Sequence, residues 1–246
     1  MSMRMSEPRR QPHAALDLVS RQKKGLKIER LLDLAPTSGV IRVLEIGTGS
    51  GGIAHYFAHH QTLNCQVDAV DVVDQRKVSD GYKFLQVTDT RLPFADQSFD
   101  VVITNHVIEH VGDREAQLAH LREVRRVMAQ NGIGYLAVPN RWMLIEPHYR
   151  LIFLSWWPHA WRTPYLRIMR KGKHYDCEPL QMRQLERMLE LTGLAYRNMC
   201  IEAWRAMLDI ERSDSIGNRL LKATPDPVLA PLKRIIPTLI YRIEPA

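Results

Sequence analysis

The 246-residue sequence has few cysteines, no long apolar run and no internal repeat. Its three cysteines, Cys65, Cys177 and Cys200, form no C-x-x-C pair, which argues against a disulfide framework and a structural zinc site. The sequence also lacks any stretch of about 18 consecutive apolar residues, so we expect no membrane-spanning helix. The first residues are polar, so we expect a flexible tail over residues 1–13, no secretory signal and a cytoplasmic protein.

Charge is plentiful, with 34 Lys and Arg against 27 Asp and Glu, and the net charge is +7. A positive balance suits association with nucleic acid, an anionic membrane surface or an acidic substrate. The basic residues are dispersed, however, and are densest at residues 21–27 and 162–173. A solvated basic face is the simplest interpretation of both stretches.

Short apolar runs alternate with amphipathic stretches along most of the chain, as is typical of an α/β fold. The predicted strands are residues 40–46, 66–71, 83–87, 99–104, 134–138, 194–201 and 238–243. The predicted helices are residues 14–34, 53–60, 114–129 and 179–191. This alternation predicts a Rossmann-like, mostly parallel sheet of about seven strands with helices on both faces.

Two segments interrupt this alternation. We interpret residues 14–246 as a single domain with insertions at about 140–176 and 203–236, the first of which holds four of the five tryptophans. Both insertions are expected at the edge of the sheet where open α/β folds bind ligands, and there they would form a substrate cap. The first insertion could act as a hydrophobic lid, rest on a membrane surface or simply pack against the sheet.

The sharpest motif is VLEIGTGSGG at residues 43–52. Its glycines allow a tight turn between a strand and a helix, but glycines alone suit a dinucleotide equally well. Three carboxylates change the balance. Glu45 lies in the strand end, where it would repel a pyrophosphate and favour a cationic ligand. Asp71 ends the next predicted strand and could accept hydrogen bonds from ribose hydroxyls, while Asp89 could accept one from an adenine amino group.

Together with DTRLPFADQSFDVVITNHVIEHV and LREVRRVMAQNGIGYLAVPN, these motifs resemble the class I S-adenosylmethionine-dependent methyltransferases, close to the subgroup that methylates small molecules. The resemblance is good over about residues 40–140 and implies S-adenosylmethionine as cofactor. It implies that the glycine loop holds the methionine part and that residues 105–106 line the methyl-transfer end. The implied cofactor-binding residues are Glu45, Gly47, Thr48, Gly49, Asp71, Val72, Asp89, Thr90, Asn105 and His106.

The segment from His106 to His110 spells H-x-x-E-H, an inverted zinc-peptidase pattern. If it were helical, the two histidines would share a face and could bind a metal. A glutamate-histidine pair after a buried strand also belongs to the methyltransferase pattern, so we expect no metal. Glu109 and His110 could instead orient the loop, or a histidine could serve near the methyl-transfer centre.

Methyl transfer to a hydroxyl group benefits from a base within hydrogen-bond reach. The candidate catalytic residues are His106, His110, His148 and His174. We therefore expect an enzyme that O-methylates a small amphipathic acceptor, such as a glycan- or lipid-linked sugar, a quinone-like ring or a secondary metabolite. The alternatives are a nucleic-acid methyltransferase, for which no flipped-base motif is present, and a non-catalytic binding protein. Peripheral contact with the inner membrane surface remains a further expectation, and the oligomeric state stays open.

Overall fold

The computed structural model describes residues 18–146, 149–175, 177–211 and 216–246, and a seven-stranded sheet forms its centre. The strand order is β3-β2-β1-β4-β5-β9-β8. These strands are β1 (Ile41–Ile46), β2 (Cys65–Asp71), β3 (Lys83–Gln86), β4 (Phe99–Asn105), β5 (Met128–Pro139), β8 (Leu194–Asn198) and β9 (Thr238–Pro245). A separate hairpin pairs β6 (Ile145–Glu146) with β7 (Leu151–Ile152).

All neighbouring strands from β3 to β5 pair in parallel, whereas β9 runs antiparallel to both β5 and β8. The carboxyl ends of β1, β2, β4 and β5 therefore meet at one edge of the sheet, which is where open α/β folds bind ligands. The sequence-based prediction of a mostly parallel, Rossmann-like sheet is confirmed.

Helices cover both faces of the sheet. They are α1 (Leu18–Leu32), α2 (Gly52–Ala58), α3 (Arg114–Val127), α4 (His159–Ile168), α5 (Met182–Leu191), α6 (Cys200–Ile210), α7 (Ile216–Ala223) and α8 (Asp226–Leu229). Buried residues of α1, α2 and α6 share one apolar core, and those of α3 and α5 share the other. Burial on both faces explains why β4 is apolar along nearly its whole length.

Several predicted boundaries differ from the structure; β5, for example, begins at Met128 rather than residue 134, and two of the differences have a clear structural cause. Helix α3 ends at Val127 rather than residue 129, because Met128 is already extended and pairs with Phe99 of β4. The strand predicted at residues 194–201 stops at Asn198. There the backbone N–H of Met199 donates to the carbonyl of Ile240, and α6 begins immediately afterwards.

Both insertions return to the ligand-binding edge of the sheet at Asn140, directly after β5. The backbone of Asn140 bridges to Leu180 at the end of the first insertion. Its side-chain amide donates to the carbonyls of Arg234 and Ile236, at the end of the second, each at 2.9 Å. Within the described ranges, no helix combines the length and apolar character needed to span a bilayer.

Candidate active site

The loop after β1 is organised around the buried carboxylate of Glu45. One oxygen, Oε2, accepts hydrogen bonds from the hydroxyl of Thr48 at 2.6 Å and from the backbone N–H of Ala54 at 2.9 Å. Burial raises the pKa of Glu45 to about 7, although both hydrogen bonds and the nearby Arg21 oppose that rise. At neutral pH this carboxyl group is thus close to its titration midpoint, and a cationic ligand would favour its ionised form.

Asp71 joins the end of β2 to the same loop. Its Oδ2 accepts from the backbone N–H of Gly49 at 2.8 Å, and its Oδ1 accepts from that of Val72 at 2.7 Å. The side chain is nevertheless only half-buried, and Val72 is exposed. Glu45 and Asp71 therefore shape the glycine loop from two adjacent strands.

The glycines of this loop serve packing as well as turning. Gly47 has a φ of +74°, and a Cβ there would lie only 2.3 Å from Cγ2 of Val107. The side chain of Val107 thus fills the space that the missing side chain of Gly47 leaves open. Gly49 also has positive φ, at +54°, which favours glycine. The contact between Gly47 and Val107 brings the segment after β4 directly against the loop after β1.

The segment after β4, residues 105–110, carries a cluster of buried polar groups. Asn105 is buried, and its Oδ1 has no hydrogen-bond partner in the part of the chain that the structure describes. His106 has a left-handed backbone, with φ at +59°, and its Nδ1 lies 3.2 Å from Oε1 of Glu109. Nε2 of His110 lies 4.0 Å from the same oxygen. Residues 108–110 form a single 3₁₀ turn, so the α-helical geometry considered for H-x-x-E-H is absent here.

Glu109 and His110 line a cavity of about 740 Å³ between the end of β4, the start of α3 and the first insertion. His159 and His174 of the first insertion, with Glu178 just after it, form part of the opposite wall. None of the described residues that line this cavity belongs to residues 200–237, so of the two insertions only the first lines it, together with residues 178–184 that follow it. The second insertion packs elsewhere, with α6 against α1.

Glu109 is the most deeply buried acid in this wall, with 1% of its surface exposed. Its Oε2 has no hydrogen-bond partner among the described residues. Ligand atoms of Glu109, His110 and Cys177 lie within 4.8 Å of one another, close enough to share a cation. The absence of a metal stays a prediction.

The predicted site residues are only partly brought together. His110 and His174 line the same cavity, and His106 contacts it through Glu109. His148 lies outside the described residues. Asp89 is exposed and accepts a hydrogen bond from the backbone of Arg91, and Thr90 lines a different cavity with residues of α3.

Helix α1 contributes charges that sequence reasoning had placed on a solvated face. Burial lowers the pKa of Lys24 to about 8, an effect that Lys27 and Arg21 reinforce and Glu109 opposes. Burial also lowers the pKa of Arg21, which Glu45 opposes. These cations lie next to the two buried carboxylates of the site because α1 packs over the glycine loop, where Cβ of Arg21 crowds Gly52.

His159 and Glu178 were also missed by sequence reasoning. Nε2 of His159 lies 3.0 Å from Oε1 of Glu178 in the cavity wall. The backbone N–H of Glu178 donates to the carbonyl of Glu109, so the stretch just after the first insertion rests on the segment after β4. The one sequence signal that could have indicated this pair is the number of histidines in the first insertion.

Comparisons with known proteins agree with this geometry. Residues 44–136 match the family described as "Methyltransferase domain". The chain is 37% identical over 99 residues to an uncharacterized methyltransferase, YcgJ, of Bacillus subtilis, covering 37% of this chain and 38% of that protein. It is 34% identical over 110 residues to a "Probable S-adenosylmethionine-dependent methyltransferase" of Mycobacterium tuberculosis, covering 44% of this chain and 39% of that protein. The chain thus spans about two fifths of the length of these two relatives.

A longer match joins the chain to a ubiquinone biosynthesis O-methyltransferase of Parvibaculum lavamentivorans. It is 24% identical over 186 residues and covers 70% of this chain and 68% of that protein. The crystal structure of YcgJ superimposes with a TM-score of 0.53 at 19% identity, over 90% of this chain and 99% of that one. The matched domain, the glycine loop with its two carboxylates and the strand order agree, so residues 44–136 form a methyltransferase domain similar to those of class I S-adenosylmethionine-dependent methyltransferases.

Proposed function

We propose that the chain transfers a methyl group from S-adenosylmethionine to an oxygen atom of a small amphipathic acceptor. The observation that carries this proposal is the position of residues 106–113. On one side Val107 contacts the glycine loop at Gly47, and on the other Glu109 and His110 line the 740 Å³ cavity. A cofactor at the glycine loop and an acceptor in the cavity would therefore meet across a single segment.

The residues at the carboxyl ends of β1, β2 and β4 suit this cofactor, which supplies a methyl group already activated by its sulfonium charge. The unsatisfied Oδ1 of buried Asn105 offers a hydrogen-bond acceptor to an amino group. The half-buried carboxylate of Asp71 suits ribose hydroxyls. Ionised Glu45 favours a positively charged ligand in a buried environment. Gly47, Thr48 and Gly49 shape the loop that holds these groups.

An acceptor hydroxyl must lose its proton as its oxygen gains the methyl group. We assign His110 as the base that takes this proton, because it lines the cavity beside the buried carboxylate of Glu109. That carboxylate lies 4.0 Å from Nε2 of His110 and acts as a positioning residue. His106 shares the same carboxylate, and His174 faces the cavity from the insertion.

The cavity also limits the size of the acceptor. Its volume is in the range of sites that bind one small molecule, and its wall combines imidazole, carboxylate and tyrosine groups. A quinone-like ring, a glycan- or lipid-linked sugar or a secondary metabolite that carries a hydroxyl group would suit it. The relative named for ubiquinone biosynthesis supports an oxygen acceptor.

The cofactor site is tested by calorimetric titration with S-adenosylhomocysteine. We expect Glu45→Gln and Asp71→Asn each to weaken binding about 10- to 100-fold, because each removes a charge-assisted hydrogen bond. Asp68→Asn, three residues earlier on β2, is the matched control and should bind as the wild type does. A well-folded wild type that binds no S-adenosylhomocysteine would favour a non-catalytic protein or a nicotinamide site.

The acceptor class is tested by transfer of labelled methyl groups to a panel of hydroxylated small molecules and to total RNA. We expect label in an alkali-stable ether of a small molecule, and His110→Ala should lower kcat more than KM. Label in RNA, together with RNA binding that weakens steeply with salt, would favour the nucleic-acid alternative instead.

A further inference from the structure

The outer face of the first insertion exposes large apolar side chains instead of covering them. In the β6–β7 hairpin, Ile145 pairs with Ile152, and the two are 53% and 54% exposed. The ring of Phe153 lies 4.9 Å from that of Trp156, which lies 5.4 Å from that of Trp142. The hairpin and these three aromatic rings therefore form one continuous apolar tip.

Helix α4 continues this apolar surface. Trp161 and Ile168 are 63% and 76% exposed and lie seven residues apart, which places them on the same side of the helix. The opposite side packs inward, where Arg162 and Leu166 are buried. The helix thus buries a mixed face and presents an apolar one, which is the reverse of an ordinary surface helix.

The backbone conformation of Phe153 is consistent with this exposure. The residue has a φ of +56°, a left-handed conformation that a bulky side chain rarely adopts. Its ring is nevertheless 44% exposed, so packing into a core does not account for the strained backbone. A strained residue that holds an aromatic ring outward is consistent with a binding role.

The positive charge of the chain is concentrated in the same insertion. Residues 141–176 hold seven Lys and Arg and two acids, a net charge of +5 against +7 for the whole chain. Among the described residues of this segment the only acid, Glu146, is buried. The exposed cations are Arg150, Arg167, Arg170, Lys171 and Lys173.

We propose that this aromatic–basic surface, the exposed side chains of residues 142–146 and 149–173, docks onto an anionic phospholipid bilayer. Tryptophan side chains favour the level of the lipid headgroups, aliphatic ones favour the acyl boundary, and lysine and arginine attract anionic lipids. RNA would leave the aliphatic side chains without an apolar partner. A second copy would carry the same positive charge and repel the first.

Docking in this way would place the cavity close to the membrane surface. The first insertion forms the outer wall of the cavity through His159 and His174, while its other side carries the aromatic–basic surface. Only the first insertion would then separate the cavity from an acceptor dissolved in the bilayer. The docking itself goes beyond the proposed function and does not depend on methyl transfer.

The experiment is flotation of the full chain with vesicles of phosphatidylcholine, either alone or mixed with phosphatidylglycerol. We expect binding only to the mixed vesicles and weaker binding as salt is raised. Arg170→Gln with Lys171→Gln should weaken binding about 25-fold, or about fivefold for each charge removed. Trp161→Ser with Ile168→Ser should weaken it about tenfold or more.

Two double variants serve as matched controls. Lys23→Gln with Arg30→Gln removes two exposed cations from α1, and Leu220→Ser with Val228→Ser removes two apolar side chains of the second insertion that are 65% and 64% exposed. Both controls should float with the vesicles as the wild type does, and all variants should bind S-adenosylhomocysteine as the wild type does.

Three results would overturn the proposal: a wild type that binds neither vesicle, patch variants that bind as well as the wild type, or control variants that lose as much binding as the patch variants. RNA binding or self-association that is lost in the same patch variants, without vesicle binding, would assign the surface to that other partner. Because the readout needs no methyl transfer, failure here leaves the proposed activity untouched.

Discussion

Glu109 lies at the point where the two halves of the site meet. Its Oε1 faces His106 and His110, and its charge opposes the lowering of the pKa of Lys24, which lies in α1, 85 residues earlier in the sequence. The same residue lines the cavity, and its backbone carbonyl accepts a hydrogen bond from the backbone N–H of Glu178, just after the first insertion. The Glu109 carboxylate thus contacts the loop after β4 and acts electrostatically on the N-terminal helix, while its backbone holds the segment that follows the first insertion.

The first prediction separates strain from crowding in the glycine loop. Gly47→Ala should cost more stability than Gly193→Ala, because both positions have positive φ but only at Gly47 would a Cβ collide, with Val107. We expect about 1 kcal/mol for Gly193→Ala and roughly 2–4 kcal/mol for Gly47→Ala, by urea unfolding. Only Gly47→Ala should also weaken S-adenosylhomocysteine binding. Equal costs at the two positions would show that the contact with Val107 relaxes freely.

The second prediction concerns the pH dependence of cofactor binding. The pKa of Glu45 is raised by burial to about 7, so the ionised carboxylate that suits the ammonium group of the ligand's amino-acid part is lost as the pH falls below that value. Affinity for S-adenosylhomocysteine should therefore drop about tenfold between pH 8 and pH 6, with proton release on binding at neutral pH.

The control for this pH dependence is Glu45→Gln, which should bind weakly but with a flat profile over the same range. For the free protein the sign is opposite. A raised carboxyl pKa stabilises the fold at low pH, and that contribution is lost as the pH rises from about 4.5 to about 7. Glu45→Gln should consequently unfold at a higher urea concentration than the wild type at pH 8. A slope unchanged in the variant would assign the pH dependence to another group.

Local spacing accounts for the site residues that could be predicted from the sequence. Glu45 and Gly47 are two residues apart at a strand end, so their proximity needs no tertiary information. Asp71 follows because it ends the neighbouring parallel strand. Lys24 could not be predicted in the same way, since its burial depends on how α1 packs over distant loops.

At the scale of elements, the first insertion is held to the body by a buried cation. The guanidinium of Arg162 donates to the carbonyl of Trp157 at 3.0 Å and to Oε2 of Glu178 at 3.3 Å. It also lies 5.8 Å from the ring of Tyr175. Helix α4 is thus tied to the segment that rests on Glu109.

We therefore predict that Arg162→Met loosens the insertion and leaves the sheet intact. The loss of these hydrogen bonds should cost about 1–3 kcal/mol locally, because the carbonyl of Trp157 loses its partner. Hydrogen exchange followed by mass spectrometry should rise over residues 151–175 and stay unchanged over β1 and β4. Arg167→Met, an exposed arginine on the same helix, is the control. An equal rise throughout the chain would mean that the insertion and the sheet unfold as one unit.

Elements with a regular period were predicted well, and those without one were not. The parallel strands and α3 follow from apolar runs and helical spacing, although the end of α3 was set by the pairing of Met128 with Phe99. The β6–β7 hairpin has two residues in each strand, too short for a periodic pattern. Helix α4 contains Pro164, which reads as a break in a helix.

Cofactor binding should raise the free energy of unfolding of the whole molecule. A ligand that binds only the folded chain at about 100 times its Kd adds about 2.7 kcal/mol. For a protein of this size we expect S-adenosylhomocysteine to raise the Tm by about 5–10 °C. Differential scanning fluorimetry measures this shift, which should fall to half or less in Asp71→Asn at the same ligand concentration, because binding weakened 10- to 100-fold leaves about 0.4–1.4 kcal/mol. A shift of the same size in that variant would place the ligand elsewhere.

The strand order places β9 between β5 and β8, so the last strand along the chain fills an interior position of the sheet. Residues 194–198 are synthesised about forty residues before β9 and have no other strand to pair with in this sheet. On a translating ribosome, β8 therefore stays unpaired, and one edge of β5 stays open until residues 238–245 emerge. We infer that the nascent chain depends on protection of that edge late in its synthesis, at the stage when both insertions have already been made.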